Sequence, residues 1–183
     1  MKSLKELEIP GVFEIEMFHA GDERGMFVKP YHKATLDEHG LVSQFEESFY
    51  STNKRGVIRG MHFQRPPQDH AKIVYCTSGK LLDVILDIRL GSPTYGKCVT
   101  VELSGDNYKA AYLPIGVAHG FCVLEDNTTM VYLTSTMHSP SCDDGLRFDS
   151  FGFDWPIKDG THSERDLAFD LLDNFNTPFT FGK

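Results

Sequence analysis

The sequence predicts an all-β fold, a barrel or sandwich of short strands, on three observations. From about Val12 to Thr136, short runs rich in Val, Ile, Thr, Tyr and Phe are punctuated by Gly, Pro, Asn and Asp, the spacing of many short strands. Apolar residues recurring every three or four positions, the mark of a helix, are almost absent there. Between Leu81 and Ile88, the residues Val84, Leu86 and Ile88 alternate with Asp83, Ile85 and Asp87, and a period of two means a strand with one buried face.

Taken in order, Met1 to Pro10 mixes charges with isolated apolar residues and has no basic stretch ahead of an apolar run, so no secretory signal is read there. Thr35-Leu36-Asp37-Glu38 has the form of a capping box closed by Gly40, which predicts one or two helical turns bridging two strands. Lys72 to Cys76, the pair Ser78-Gly79, and Leu81 to Ile88 make the clearest hairpin. On its first strand Lys72 shares a face with Val74 and Cys76, so its ammonium points toward the barrel interior, where a lysine needs a partner or a task. Gly91 to Gly96 is a loop, and Pro114-Ile115-Gly116 turns the chain into His119-Gly120-Phe121. After Pro140 the character changes: Ser163-Glu164-Arg165-Asp166 reads as an N-cap and the start of a short amphipathic helix carrying Leu167, Leu171 and Leu172. No repeat or linker divides the 183 residues, which predicts a single domain over 1–183.

Lys plus Arg number 18 and Asp plus Glu 26, a net charge of −8 that repels nucleic acid over most of the surface but leaves room for an anionic small molecule where arginines gather in a cleft. No stretch of about 18 apolar residues is present, so a soluble, cytoplasmic protein without membrane contact is expected. Cys76, Cys98, Cys122 and Cys142 form no C-x-x-C pair and read as small buried thiols.

Imidazole titrates nearest neutrality, so a histidine on a barrel strand is the first candidate for proton transfer. In Val57-Ile58-Arg59-Gly60-Met61-His62-Phe63-Gln64, His62 shares a face with Gly60 and Gln64. Arg59 has the opposite parity, and both can serve one site only if the strand is bulged or twisted near Gly60. Taken alone, a strand histidine is more often a hydrogen-bonded core residue. A barrel metal centre would want a second histidine two residues on, where Gln64 stands; the next histidine is His70, and this spacing argues against a metal.

Arg59-Gly60-Met61-His62-Phe63-Gln64, the Lys72 strand, Asp87-Ile88-Arg89 with Gly91 to Gly96, and Pro114-x-Gly-x-Ala-His119-Gly120-Phe121 together resemble the dTDP-4-dehydrorhamnose 3,5-epimerases. Asp22-x-Arg24-Gly25-x-Phe27, Tyr132, and Trp155-Pro156 followed by Ser163-x-x-Asp166 extend the resemblance from about residue 10 to residue 168. It implies a cupin-type jelly roll (a double-stranded β-helix), a homodimer without metal or other cofactor, acting on nucleotide-linked 4-keto-6-deoxyhexoses in deoxysugar and polysaccharide biosynthesis. By the same resemblance His62 is the base, Asp166 its dyad partner, Tyr132 the acid on the opposite face, and Lys72 the cation at the enolate oxygen. Arg24 and Arg59 then grip phosphates, with Phe27 and His119 also contacting substrate. Without the resemblance, Tyr132 reads as a packed strand aromatic and Asp166 equally as a helix-start acid.

Three departures from that family bear on specificity. Lys29 stands where it usually has glutamate, Glu47-Ser48-Phe49 where it has Gln-x-Asn, and His138 where it has a second tyrosine. Thymine offers an N3 hydrogen suited to a carboxylate, whereas cytosine offers an N3 acceptor and an amino donor suited to a lysine plus a carboxylate. Lys29 and Glu47 therefore predict a CDP-linked rather than dTDP-linked substrate, unless they form only a surface ion pair. Loss of the tyrosine at His138 predicts a single inversion, at C3. The competing readings are a non-catalytic carbohydrate-binding cupin and a related 4-keto sugar isomerase.

Overall fold

Runs of β-branched and aromatic residues make the strands, and Gly, Pro and Asn set the corners. The structure, a computed structural model, describes residues 1–182. In chain order the strands are β1 (Ser3–Glu6), β2 (Phe13–Glu16), β3 (Phe18–Asp22), β4 (Gly25–Lys29), β5 (Glu47–Asn53), β6 (Ile58–Gln64) and β7 (Lys72–Ser78). They continue with β8 (Lys80–Asp87), β9 (Cys98–Ser104), β10 (Lys109–Leu113), β11 (Val117–Val123), β12 (Thr128–Thr134) and β13 (Asp143–Gly145), accompanied by short helices α1 (Lys33–Glu38) and α2 (Glu164–Leu167).

One sheet runs β1-β2-β10-β7-β12-β5 and the other β13-β6-β11-β8-β9, with antiparallel neighbours throughout, the arrangement of a jelly roll. Between them lie Val74, Cys76, Leu81, Ile85, Phe121 and Met130. Their outer faces are covered as well. Leu36 of α1 packs on Ile15, Ile73 and Tyr112 behind the first sheet, and Trp155, Phe175 and Phe179 pack on Ile58, Met61 and Val84 behind the second, each such aromatic contributing about 1.5–3 kcal/mol. Burial on both faces is why β11 reads Val-Ala-His-Gly-Phe-Cys-Val with every residue buried. Among the described residues no helix is long and apolar enough to cross a membrane.

Four expectations need correction. The hairpin of Lys72–Cys76 with Leu81–Ile88 does not form: β7 pairs with β10 and β12, and β8 with β9 and β11. Ser78-Gly79 is a corner between sheets, with Gly79 at φ 71° and Thr128 packed where a Cβ would stand. Alternation reports which face is buried but not which strand lies alongside, so two facing strands look like two paired ones. Nor has β8 a single buried face, because Val84 and Leu86 lie under the C-terminal aromatics while Ile85 faces the interior.

The first helix begins at Lys33, two residues before the expected capping box, with His32 as an N-cap that makes no side-chain cap bond; Gly40 closes it at φ 66° as expected. At the other end Ser163 caps α2 as predicted, accepting the Asp166 N–H at 3.0 Å, but the helix stops after a single turn. Leu167 and Leu171 are exposed, and the buried residue of α2 is Asp166.

Candidate active site

Between the sheets opens a cavity of about 290 Å³ whose walls include Arg59, His62, Lys72, His119 and Tyr132, together with Glu47 and His138. His62 and His119 come from the second sheet and Lys72 and Tyr132 from the first, so the cavity has histidines on one wall and a lysine and a tyrosine on the other.

The strand carrying His62 is bulged. His119 lies opposite His62 and Phe121 opposite Arg59, so β6 uses one residue more than β11 over that span. The extra residue turns both Arg59 and His62 toward the cavity despite their opposite parity. Glycine is required: Gly60 has φ 137°, and a Cβ there would come 2.5 Å from the Gly120 Cα. The same turn aims the Gly60 N–H at Asp166 Oδ2, 3.3 Å away.

Asp166, almost fully buried, meets the His62 Nε2 at 2.8 Å through Oδ1. Burial alone would raise its pKa, but hydrogen bonds from His62, the Gly60 N–H and Ser163 hold it below the usual value. A carboxylate can only accept, so the proton of a neutral His62 sits on Nε2 and Nδ1 is the basic nitrogen. His119 forms a second such pair, its Nε2 at 2.6 Å from Asp83 Oδ1; burial lowers its pKa against the pull of Asp83. Each imidazole thus has its own carboxylate, and among the described residues no three His, Cys, Asp or Glu side chains cluster as a metal set.

Lys72 reaches across the cavity and donates to the His62 carbonyl at 3.3 Å. Burial pushes its pKa down to about 8, with Asp143 and Asp83 pulling it back up. The ammonium is charged below that pH and neutral above it, so kcat/KM should fall about tenfold per unit once pH passes about 8. A kcat/KM profile that stays level to pH 10 would remove Lys72 from the chemistry. On the same sheet the Tyr132 ring stacks on Phe49 at 4.6 Å, and burial raises its hydroxyl above the ordinary phenol value.

Arg24, Phe27 and Lys29 are not brought to this cavity within one chain. They sit on the β3–β4 hairpin, which pairs only with itself; Arg24 is tied to Asp22, Phe27 is 59% exposed, and Lys29 lies 5.9 Å from the Phe18 ring. Among the described residues no Lys29–Glu47 ion pair forms: Lys29 stays on its hairpin beside Phe18, and Glu47 accepts the His138 N–H at 2.7 Å. Sequence reasoning missed Ser51, His70, Asp143 and Arg165, all on the cavity wall. Arg165 pairs with Asp143 at 2.7 Å beside His138, and burial and Lys72 push His70 down to about 3, which keeps it neutral.

A jelly roll with a carboxylate-paired histidine, a buried phenol and an ammonium around one cavity is the scaffold of an isomerase. Residues 6–174 match the family dTDP-4-dehydrorhamnose 3,5-epimerase, and the chain belongs to it. It is 37% identical over 163 residues to the dTDP-4-dehydrorhamnose 3,5-epimerase of Shigella flexneri, covering 87% of this chain and 90% of that one. Identity is also 37% over 172 residues to the dTDP-4-dehydrorhamnose 3-epimerase of Streptomyces niveus, with coverage of 92% and 83%. The structure of the dTDP-6-deoxy-D-glucose-3,5-epimerase of Legionella pneumophila Philadelphia 1, in complex with dTDP-4-keto-L-rhamnose, superimposes with a TM-score of 0.90 at 32% identity, covering 95% of this chain and 94% of that one.

Proposed function

We propose that the protein inverts a carbon next to the ketone of a nucleotide-linked 4-keto-6-deoxyhexose, and the observation that carries this is the His62–Asp166 pair facing Tyr132 across one cavity. The C4 ketone acidifies the hydrogens at C3 and C5. His62 Nδ1 takes one of them, the electron pair moves onto the C4 oxygen, and Lys72 holds the resulting enolate. Tyr132 then returns a proton from the other face, the carbonyl re-forms, and the centre is inverted. Asp166 stabilises the imidazolium that exists in between.

Arg59 on the cavity rim takes the diphosphate. The β3–β4 hairpin carries Arg24, Phe27 and Lys29 on an exposed apolar strip with Phe18 and Met26, and β5, a sheet edge, exposes Phe49 and Tyr50. Covering both strips together in a homodimer removes them from water and brings the hairpin of one protomer to the partner's cavity; sedimentation equilibrium giving a monomer at working concentration would exclude this. With Lys29 so delivered beside Glu47, the base site carries one donor and one acceptor, the complement of cytosine. His138 in place of a tyrosine favours inversion at C3 alone. The free thiols at Cys76, Cys98, Cys122 and Cys142 suit a reducing, cytoplasmic setting.

The test is turnover of CDP- and dTDP-linked 4-keto-6-deoxyglucose in deuterated water, with C3 and C5 followed by NMR. The reading expects the CDP sugar to be preferred and deuterium to enter at C3. Preference for dTDP removes the cytosine argument, equal entry at both carbons removes the single-centre argument, and entry at neither removes the proton transfer itself.

A further inference from the structure

The acid has a support that the base does not share. Tyr132 lies opposite Phe49 in the β5–β12 register, and Ser51 lies opposite Met130, so Ser51 is the diagonal neighbour of Tyr132 on the cavity face of β5. The stacked Phe49 ring holds the phenol against that strand, and Ser51 and Tyr132 line the same cavity. Ser51 in turn is held by Asn53. The Asn53 amide has one possible orientation: its Oδ1 accepts from Arg59 Nε at 2.9 Å, and a guanidinium only donates. Nδ2 must then be the atom at 3.1 Å from Ser51 Oγ, and it also reaches the Ser51 and Thr128 carbonyls, each at 3.2 Å. An amide NH₂ only donates, so the Ser51 oxygen is the acceptor in that contact and its own hydrogen is free to turn toward Tyr132.

Resting on the proton-transfer reading above, we propose that Ser51 is a positioning residue for the acid, its hydroxyl aimed at the Tyr132 oxygen by the Asn53–Arg59 pair so that the phenolate keeps a donor after it gives up its proton. Before the step, Ser51 donates to the phenol oxygen and leaves the phenol hydrogen free to point at the enolate carbon. During it, the O–H bond of Tyr132 breaks, the proton bonds to carbon, and the enolate electron pair leaves the oxygen to form that bond. His62 holds the proton it removed, Tyr132 is the anion, and exchange with water resets both. Arg59 polarises the chain from its far end, which links the diphosphate-binding guanidinium to the acid.

A hydrogen bond to a charged group in a buried site corresponds to a change of about 10- to 100-fold in the step it supports. Ser51→Ala should therefore slow inversion by about 10- to 100-fold while deuterium exchange with retained configuration, which needs only His62, stays within about twofold of the parent. Ser51→Thr, which keeps the hydroxyl on a β-strand, should restore inversion. Equal slowing of exchange and inversion in Ser51→Ala, unchanged inversion, or failure of Ser51→Thr to recover overturns the inference alone. An unaltered protein that neither exchanges nor inverts overturns the proton-transfer reading and this inference with it.

Discussion

His62→Ala is expected to lower kcat by about 10,000-fold, the upper range for a general base, and to stop deuterium entry into the substrate altogether. The reason is geometric. Asp166 is tied to His62, to the Gly60 N–H and to Ser163, and Lys72 is a cation that donates to a backbone carbonyl, so neither of these neighbours replaces Nδ1. Nucleotide-sugar affinity should change little, because Arg59 and the cavity rim are untouched, and calorimetry on the variant checks it. The side chain is 28% exposed, so thermal stability should fall only slightly. Turnover that survives while affinity drops would instead make His62 a binding group.

The site was largely legible because its parts follow from strand parity and from glycine. Arg59 and His62 have opposite parity, and joining them required a bulge near Gly60. Lys72 shares parity with Val74 and Cys76, and their burial put it inside. Pairing was not legible. The strands on either side of Gly79 alternate as a hairpin would, yet each finds its neighbours elsewhere, because both present apolar residues to one interior and local pattern carries no information about partners tens of residues away. The C-terminal segment was misread for a related reason. Leu167 and Leu171 suggested a helix face, but Phe175 and Phe179 cover the second sheet, and a cover made of isolated aromatics on irregular backbone has no period to detect. Arg24, Phe27 and Lys29 stand apart because one chain ends their argument at an exposed hairpin.

Tyr132→Phe is expected to separate the two half-reactions. Removing the hydroxyl leaves His62, Asp166 and Lys72 in place, so the substrate hydrogen should still exchange with solvent, each proton leaving and returning on the His62 face. Inversion should fall by about 1,000-fold, within the range for loss of a positioned acid. Phenylalanine keeps the ring that stacks on Phe49, and the lost hydroxyl is one that burial already keeps protonated, so the cavity walls should hold their shape and KM should stay near its original value. The ratio of exchange to inversion is therefore the quantity to measure, by NMR of recovered substrate and product. His62→Ala lowers both numbers, whereas Tyr132→Phe raises their ratio, because the imidazole controls entry to the enolate and the phenol controls the face from which it is left. An unchanged ratio in Tyr132→Phe would mean that another group, or a water reached through the open rim beside His138, delivers the second proton, and the stacked tyrosine would then be packing alone.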